Sequence, residues 1–241
     1  MKALILAGGR GKRLPNITNI KNKCLTEIND KNLLEYNLDL ITELDISEII
    51  IVVGYLAEEI INKYGIEYKS KRIKYAIQRE QRGLVHAIET AKELLGKEDF
   101  ILFLGDQILT KPKIKEMISH YKEKNLFTVC GAINESNKSK ISKTYAIMAN
   151  ENKRIFRLIE KPKNPIGNIQ GTGFCVFRNE LLNYISQTPT NLIRGEKELV
   201  DWIQSAIDEG QAVEYYIVGD KYTNINTEDD YIYAKDILAN N

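Results

Sequence analysis

Apolar positions along this chain alternate between two patterns. Three short continuous runs, Ala3-Leu4-Ile5-Leu6-Ala7, Ile49-Ile50-Ile51-Val52-Val53 and Phe100-Ile101-Leu102-Phe103-Leu104, each stop at a glycine: Gly8, Gly54 and Gly105. A run of that length closed by glycine predicts a strand buried on both faces. Between the runs the spacing becomes helical. Residues 32–44 carry Leu33, Leu34, Leu38, Ile41 and Leu44, residues 57–64 read as a short helix, and residues 84–95 place Leu84, Ala87, Ile88, Ala91 and Leu95 on one face. Residues 72–78 alternate, with Ile73, Tyr75 and Ile77, and read as a further strand. Buried strands separated by helices imply βαβ units and a largely parallel sheet. Ligands of such sheets bind beyond the carboxyl ends of the strands. That order alone sets residues 8–13, Gly54, Gln78 and Asp106 along one edge.

The second half is less regular. Residues 113–124 read as a helix, 126–133 as a strand and 134–143 as a polar, lysine-rich loop. Strands are predicted over 145–148, 154–160 and 173–177, in a smaller, partly antiparallel sheet over the open edge of the first. A helix with Trp202 over 196–209, a strand over 213–218 and a helix over 228–238 complete the reading. No linker, repeat or low-complexity segment interrupts it, so one domain with a continuous sheet is expected.

Composition narrows the function classes. With 241 residues, 43% hydrophobic and 28% charged, the chain is long enough for a substantial core. A formal charge of +1 gives no footprint for nucleic acid or a membrane surface, so any basic site must be local. Cys24, Cys130 and Cys175 have neither metal-ligand spacing nor an even count, which points to reduced thiols in a cytoplasmic setting. The first apolar run is too short for a signal peptide, and no run approaches the ~18 residues of a membrane span. His86 and His120 fall on predicted helices without evident partners and read as structural.

Candidate chemistry begins right after the first strand. Gly8, Gly9 and Gly11 stand among Arg10, Lys12 and Arg13. Glycines let successive backbone N–H groups close on an anion, and three cations beside that nest suit a polyphosphate. The dinucleotide fingerprint fails because Leu14 stands at its last glycine, and the P-loop fails because Arg13 follows Gly11-Lys12.

Gly8-Gly9-Arg10-Gly11-Lys12-Arg13-Leu14, with Lys23 following, resembles the signature of nucleotidyltransferases that join a nucleoside triphosphate to a sugar 1-phosphate. Their pattern is a strand, G-G-x-G-(S/T)-R-L, and a lysine about ten residues on. Lys12 replaces the usual hydroxyl, and Asn22 stands before Lys23 where relatives have proline. Later segments arrive in the family's order. Gln78 to Gly83-Leu84 resembles the base-reading Q-x-x-x-x-G-(L/T), and its continuation to His86-Ala87 is reminiscent of uridylyl- and thymidylyltransferases. Asp106 matches the metal-binding Gly-Asp. Glu160-Lys161-Pro162 matches the sugar-phosphate motif E-K-P, with Thr172 and Gly173 in the next sugar-contacting segment. Tyr145-Ala146 departs from the family's Y-G, and Ala146 is expected to crowd a hexose or select another acceptor. Residues 222–227 resemble W-x-D-x-G-T with Asn224 at the aspartate, as in N-acetylglucosamine 1-phosphate uridyltransferases. Thr227 is also a helix N-cap with Asp230 three residues on.

The resemblance implies a three-layer, Rossmann-like α/β fold: a mixed, mostly parallel sheet, helices on both faces and a small additional sheet over the active site. Residues 1–133 would mainly bind nucleotide and 134–241 mainly the acceptor. It implies Arg13 and Lys23 as catalytic, and Leu6, Ala7, Gly8, Gly9, Gly11, Lys12, Gln78, Gly83 and Leu84 as nucleotide-binding. Tyr145, Glu160, Lys161, Thr172 and Gly173 would bind the acceptor, and Asp106 and Asn224 would hold Mg²⁺. The expected partners are a nucleoside triphosphate, UTP or dTTP favoured, and a phosphorylated small-molecule acceptor, with no nucleic acid and no membrane. A homo-oligomer is compatible with the sequence, and a second acetyltransferase activity is not expected at this length. Three rivals stand beside this reading. They are a CTP-dependent enzyme of the same fold acting on a non-hexose phosphate, a non-catalytic regulatory subunit that binds nucleotide sugars, and a nucleotide-binding oxidoreductase.

The third cation of the opening loop yields a first test. Lys12→Thr should change KM for the nucleoside triphosphate with little loss of kcat in steady-state kinetics; a collapse of kcat would contradict a role in triphosphate affinity alone.

Overall fold

The computed structural model describes residues 1–11 and 21–240. Arg13 and Lys12 therefore lie outside the described residues. Among those described, a ten-stranded mixed sheet forms the middle layer. Its parallel heart is the strand Lys2–Leu6, paired with Phe100–Leu104 on one side and Ile49–Val53 on the other, with Lys71–Ile77 beyond. These are the runs predicted from the sequence. Lys2–Leu6 from Ala3 onward, Ile49–Val53 and Phe100–Leu104 are apolar at successive positions because both faces are covered, while Lys71–Ile77 alternates as expected. Leu4 packs with Ile50, Leu102 and Trp202, whereas Ala3 and Ile5 pack with Ile51, Phe103 and the helices Leu33–Thr42 and Ile114–Glu123. That two-sided burial gives the three layers.

The strands Tyr145–Ala149, Ile155–Glu160 and Ile169–Phe177 differ from expectation. They do not form a separate sheet but continue the main one antiparallel, with Ile169–Phe177 pairing directly onto Phe100–Leu104. This strand starts four residues earlier than predicted, because Gly171 and Gly173 sit inside it rather than ending it. The Tyr145 ring fills the space where a Cβ on Gly171 would stand, 1.9 Å away. Two small two-stranded sheets stand apart from the main one among the described residues, Glu27–Ile28 against Lys31–Asn32 and, at the site, Gln107–Leu109 against Tyr222–Asn224. The latter pairs Gln107 with Asn224, bringing Asn224 beside Asp106.

Two predicted helices are shorter in the structure. The one expected over 84–95 breaks into Leu84–Thr90 and Lys92–Leu95. Thr90 Oγ1 donates to the His86 carbonyl at 2.8 Å, a back-bond that bends helices. The one expected over 196–209 begins at Leu199, because Asn191 and Glu196 bridge and hold the preceding residues extended. The lysine-rich segment 134–143 contains a helical turn, Lys138–Ile141. At the last helix, Thr227 caps and Asp230 returns the bond, a capping box as predicted.

Candidate active site

The carboxyl ends of the parallel strands open into a cleft of about 920 Å³. The first strand delivers Leu6, Gly8, Gly9 and Gly11 to its wall. Gly8 is held from behind, since a Cβ on Gly54 would lie 2.9 Å from its carbonyl. That carbonyl accepts from Tyr55 N at 3.2 Å and Gln81 Nε2 at 2.8 Å. Ala7 alone of the described nucleotide-site residues does not line the cleft. It is buried, and its amide bonds the Val52 carbonyl in the sheet.

Lys23 reaches the same place from the short helix Lys23–Leu25. Asn22 explains how the turn manages without proline. Fully buried, it caps the helix through Cys24 N at 2.9 Å and donates to the Tyr55 carbonyl at 2.7 Å. The Lys23 ammonium meets the Asp106 carboxylate, with side chains 9% and 19% exposed, and also donates to Asn226 Oδ1 at 3.0 Å. Asn224 Nδ2 bonds the other Asp106 oxygen at 3.2 Å. Asp106 and Asn224 thus converge as the sequence implied, and together they offer one carboxylate and one amide group to a divalent cation. Among the described residues no three His, Cys, Asp or Glu side chains form a metal cage. A hard cation here would complete its shell with substrate phosphate oxygens, the usual arrangement for Mg²⁺. Cys24, next in sequence, is no nucleophile. Burial, reinforced by the Asp106 charge, pushes its thiol up to about 12.

On one flank stand Gln78, Gly83 and Leu84. Gly83 has φ 93°, and a Cβ there would come 2.3 Å from the Glu196 carboxylate, so the position demands glycine. Gln78 is buried, not solvated at a strand end. His86 and His120 do have partners, contrary to expectation: His86 contacts Gln78 and Arg82, and His120 pairs with Glu214 at 2.9 Å. On the opposite flank stand Tyr145, Glu160, Lys161, Thr172 and Gly173. Tyr145 OH donates to the Thr172 carbonyl at 3.0 Å, and Gly173 N donates to Tyr222 OH at 2.9 Å. Lys161 sits at φ 41°, a left-handed conformation fixed by its amide on the Thr144 carbonyl at 2.7 Å. Its ammonium pairs with Glu160 at 2.9 Å. Ala146 is buried and does not line the cleft, so its methyl does not crowd the acceptor flank.

The cleft also holds residues that sequence reasoning passed over: Gln81, Asn226, Glu196 and Glu198, and Lys140 and Lys143 from the turn after 137. Lys143 pairs with Asp230 at 2.7 Å and Lys140 with Tyr233 OH at 2.7 Å, tying that turn to the last helix. Gln81 and Asn226 lay within matched motifs, Gln81 at an unspecified position of Q-x-x-x-x-G and Asn226 at the family's glycine.

A family model described as nucleotidyl transferase matches residues 2–241. The chain belongs to the nucleotidyl transferase family. Among curated relatives, a UTP–glucose-1-phosphate uridylyltransferase of Haloferax volcanii is 33% identical over 89% of this chain and 86% of its own length. A glucose-1-phosphate thymidylyltransferase of Streptomyces griseus is 29% identical over 90% of this chain, which spans 60% of that protein. A solved UDP-glucose pyrophosphorylase with UDP-glucose bound superposes at a TM-score of 0.88 over 99% of this chain and 98% of its own, at 22% identity, which establishes the shared fold. As a nucleotidyltransferase the chain is an enzyme with an α/β fold of mixed sheet. No helix among the described residues is long and apolar enough to cross a membrane.

The Glu160 carboxyl lies above the ordinary glutamate range. Burial is the largest cause and Glu198 adds to it, and together they outweigh the lowering by the Lys161 and Arg194 charges. The folded protein thus binds this proton more tightly than the unfolded chain, and the ionised form costs stability at neutral pH. Glu160→Gln should raise Tm at pH 7. The gain should shrink as pH falls through the raised range and vanish below the ordinary glutamate value. Thermal unfolding across pH checks this; a lower Tm at pH 7 or a pH-independent gain would contradict it.

Proposed function

We propose that this chain transfers a nucleoside monophosphate from UTP or dTTP to a sugar 1-phosphate, giving an NDP-sugar and pyrophosphate. The observation that carries the reading is one cleft that gathers the glycine loop, Lys23, Asp106, Gln78 and the Glu160–Lys161 pair. Amides of the glycine loop hold the β- and γ-phosphates, as a backbone nest does. Gln78 and Gly83 take the base, with the nucleotide lodged mainly on residues 1–133. The acceptor lies on residues 134–241, its hydroxyls on Glu160 and its phosphate beside Lys161, where charge-assisted bonds are strong.

In this arrangement the acceptor phosphate oxygen faces the α-phosphorus in line with the leaving pyrophosphate. Lys23 neutralises charge at the α-phosphate, and positioning with charge stabilisation supplies most of the rate. An ionised phosphate needs no general base. Mg²⁺ suits Asp106 and Asn224, and when bound it would screen the phosphates of both substrates. The relatives' names support UTP or dTTP over CTP and a hexose phosphate over other acceptors. The paired Lys23 and Asp106 speak against a regulatory subunit without catalysis.

A screen of pyrophosphate release over nucleoside triphosphates and acceptors tests the reading. Product is expected with UTP or dTTP and a hexose 1-phosphate. Product with CTP and a non-hexose phosphate alone would overturn it.

A further inference from the structure

We infer that His86 is a positioning residue for base selection, acting through the Gln78 side chain. The inference deepens the proposed reading, in which Gln78 contacts the base, and rests on it. His86 stands half-buried on the helix Leu84–Thr90 and does not itself line the cleft. Gln78 Nε2 lies 3.2 Å from the Gly83 carbonyl oxygen and 3.0 Å from His86 Nδ1.

A carbonyl only accepts, so the amide atom facing Gly83 is the nitrogen. Its second N–H then meets Nδ1, which must supply a lone pair, so the ring proton sits on Nε2. Arg82 Nη2, 2.8 Å from Nε2, brings only donors and cannot complete that bond. Its side chain is 66% exposed and has Glu80 3.4 Å away, so solvent and Glu80 can take it. Both Gln78 donors are therefore spent inside the protein.

What remains for a ligand is the amide oxygen. It receives no hydrogen bond among the described residues and lies beside Gly8, 3.2 Å from where a Cβ would stand. A side chain presenting an acceptor alone suits the imide N3–H of uracil or thymine. It opposes the N3 lone pair of cytosine. A free glutamine amide could turn over and serve either base; one pinned by Gly83 and His86 cannot.

The test is the ratio of kcat/KM for UTP to that for CTP, with a hexose 1-phosphate as acceptor, in the intact protein. His86→Leu removes the lone pair and should lower the ratio about tenfold, one hydrogen bond's worth of discrimination. His86→Gln offers a carbonyl in its place and should hold the ratio within about threefold of the wild type. The acceptor KM should not move in either. Melting temperatures of both variants separate packing loss from the specificity effect. If Gln78→Leu collapses the ratio while His86→Leu leaves it intact, the inference fails and the base-reading role of Gln78 survives. If Gln78→Leu leaves the ratio intact, that role fails and the inference with it.

Discussion

The contact between the Lys23 ammonium and the Asp106 carboxylate is the constraint on which the rest of the site depends. The two residues are 83 positions apart and both are largely withdrawn from water. Each offsets the hydration the other has lost, since leaving one partner of such a pair alone is costly. The pairing in turn requires the short helix Lys23–Leu25 to lie beside the end of the fourth parallel strand of the sequence, Phe100–Leu104. Asn22 fixes that placement with its cap and its bond to Tyr55. Lys23 also keeps Asn226 as a second acceptor, so it stays in the cleft if Asp106 turns to a cation. On the proposed reading the ammonium already stands where positive charge would be needed, the preorganisation that charge stabilisation relies on.

Sheet order does the gathering. The strand Lys2–Leu6 lies between Ile49–Val53 and Phe100–Leu104, so the glycine loop, Gly54 and Asp106 emerge side by side from one edge. Antiparallel continuation through Ile169–Phe177 then carries Thr172 and Gly173, and beyond them Tyr145 and Glu160, to the same opening. A two-stranded ribbon closes the loop by laying Asn224 against Gln107. Sites at the carboxyl ends of parallel strands follow from this geometry. Here the antiparallel extension adds the second flank that a reaction between two substrates requires.

Much of this was legible in the residues. Continuous apolar runs ending in glycine mark strands buried on both faces, and the residue after such a strand lies at the ligand edge, which is how Asp106 and the glycine loop were found. Local chemistry gave the Thr227 cap, whereas Glu160 and Lys161 were singled out by the resemblance to the E-K-P motif, and their pairing is seen only in the structure. What stayed hidden depends on distant pairing. Gln107–Leu109 is three residues long and is a strand by virtue of Tyr222–Asn224, 115 residues away in the Gln107–Tyr222 bond. Glu196 and Glu198 enter the cleft because an extended bridge delays their helix, and a helical periodicity conceals that. His86 looked partnerless because its partner sits at the end of a different element. Ala146 was expected to crowd the acceptor, but a strand alternates its faces, and that methyl falls away from the cleft.

The central claim is that Lys23 and Asp106 act at the reacting phosphorus rather than holding the fold together. Single-turnover rates for Lys23→Met, read beside calorimetric binding of the nucleoside triphosphate, test it most directly. The account predicts a rate at least about a hundredfold lower, the scale for losing one preorganised charge, with binding changed far less. A variant that turns over at the wild-type rate, or one whose loss is entirely in nucleotide binding, would contradict it.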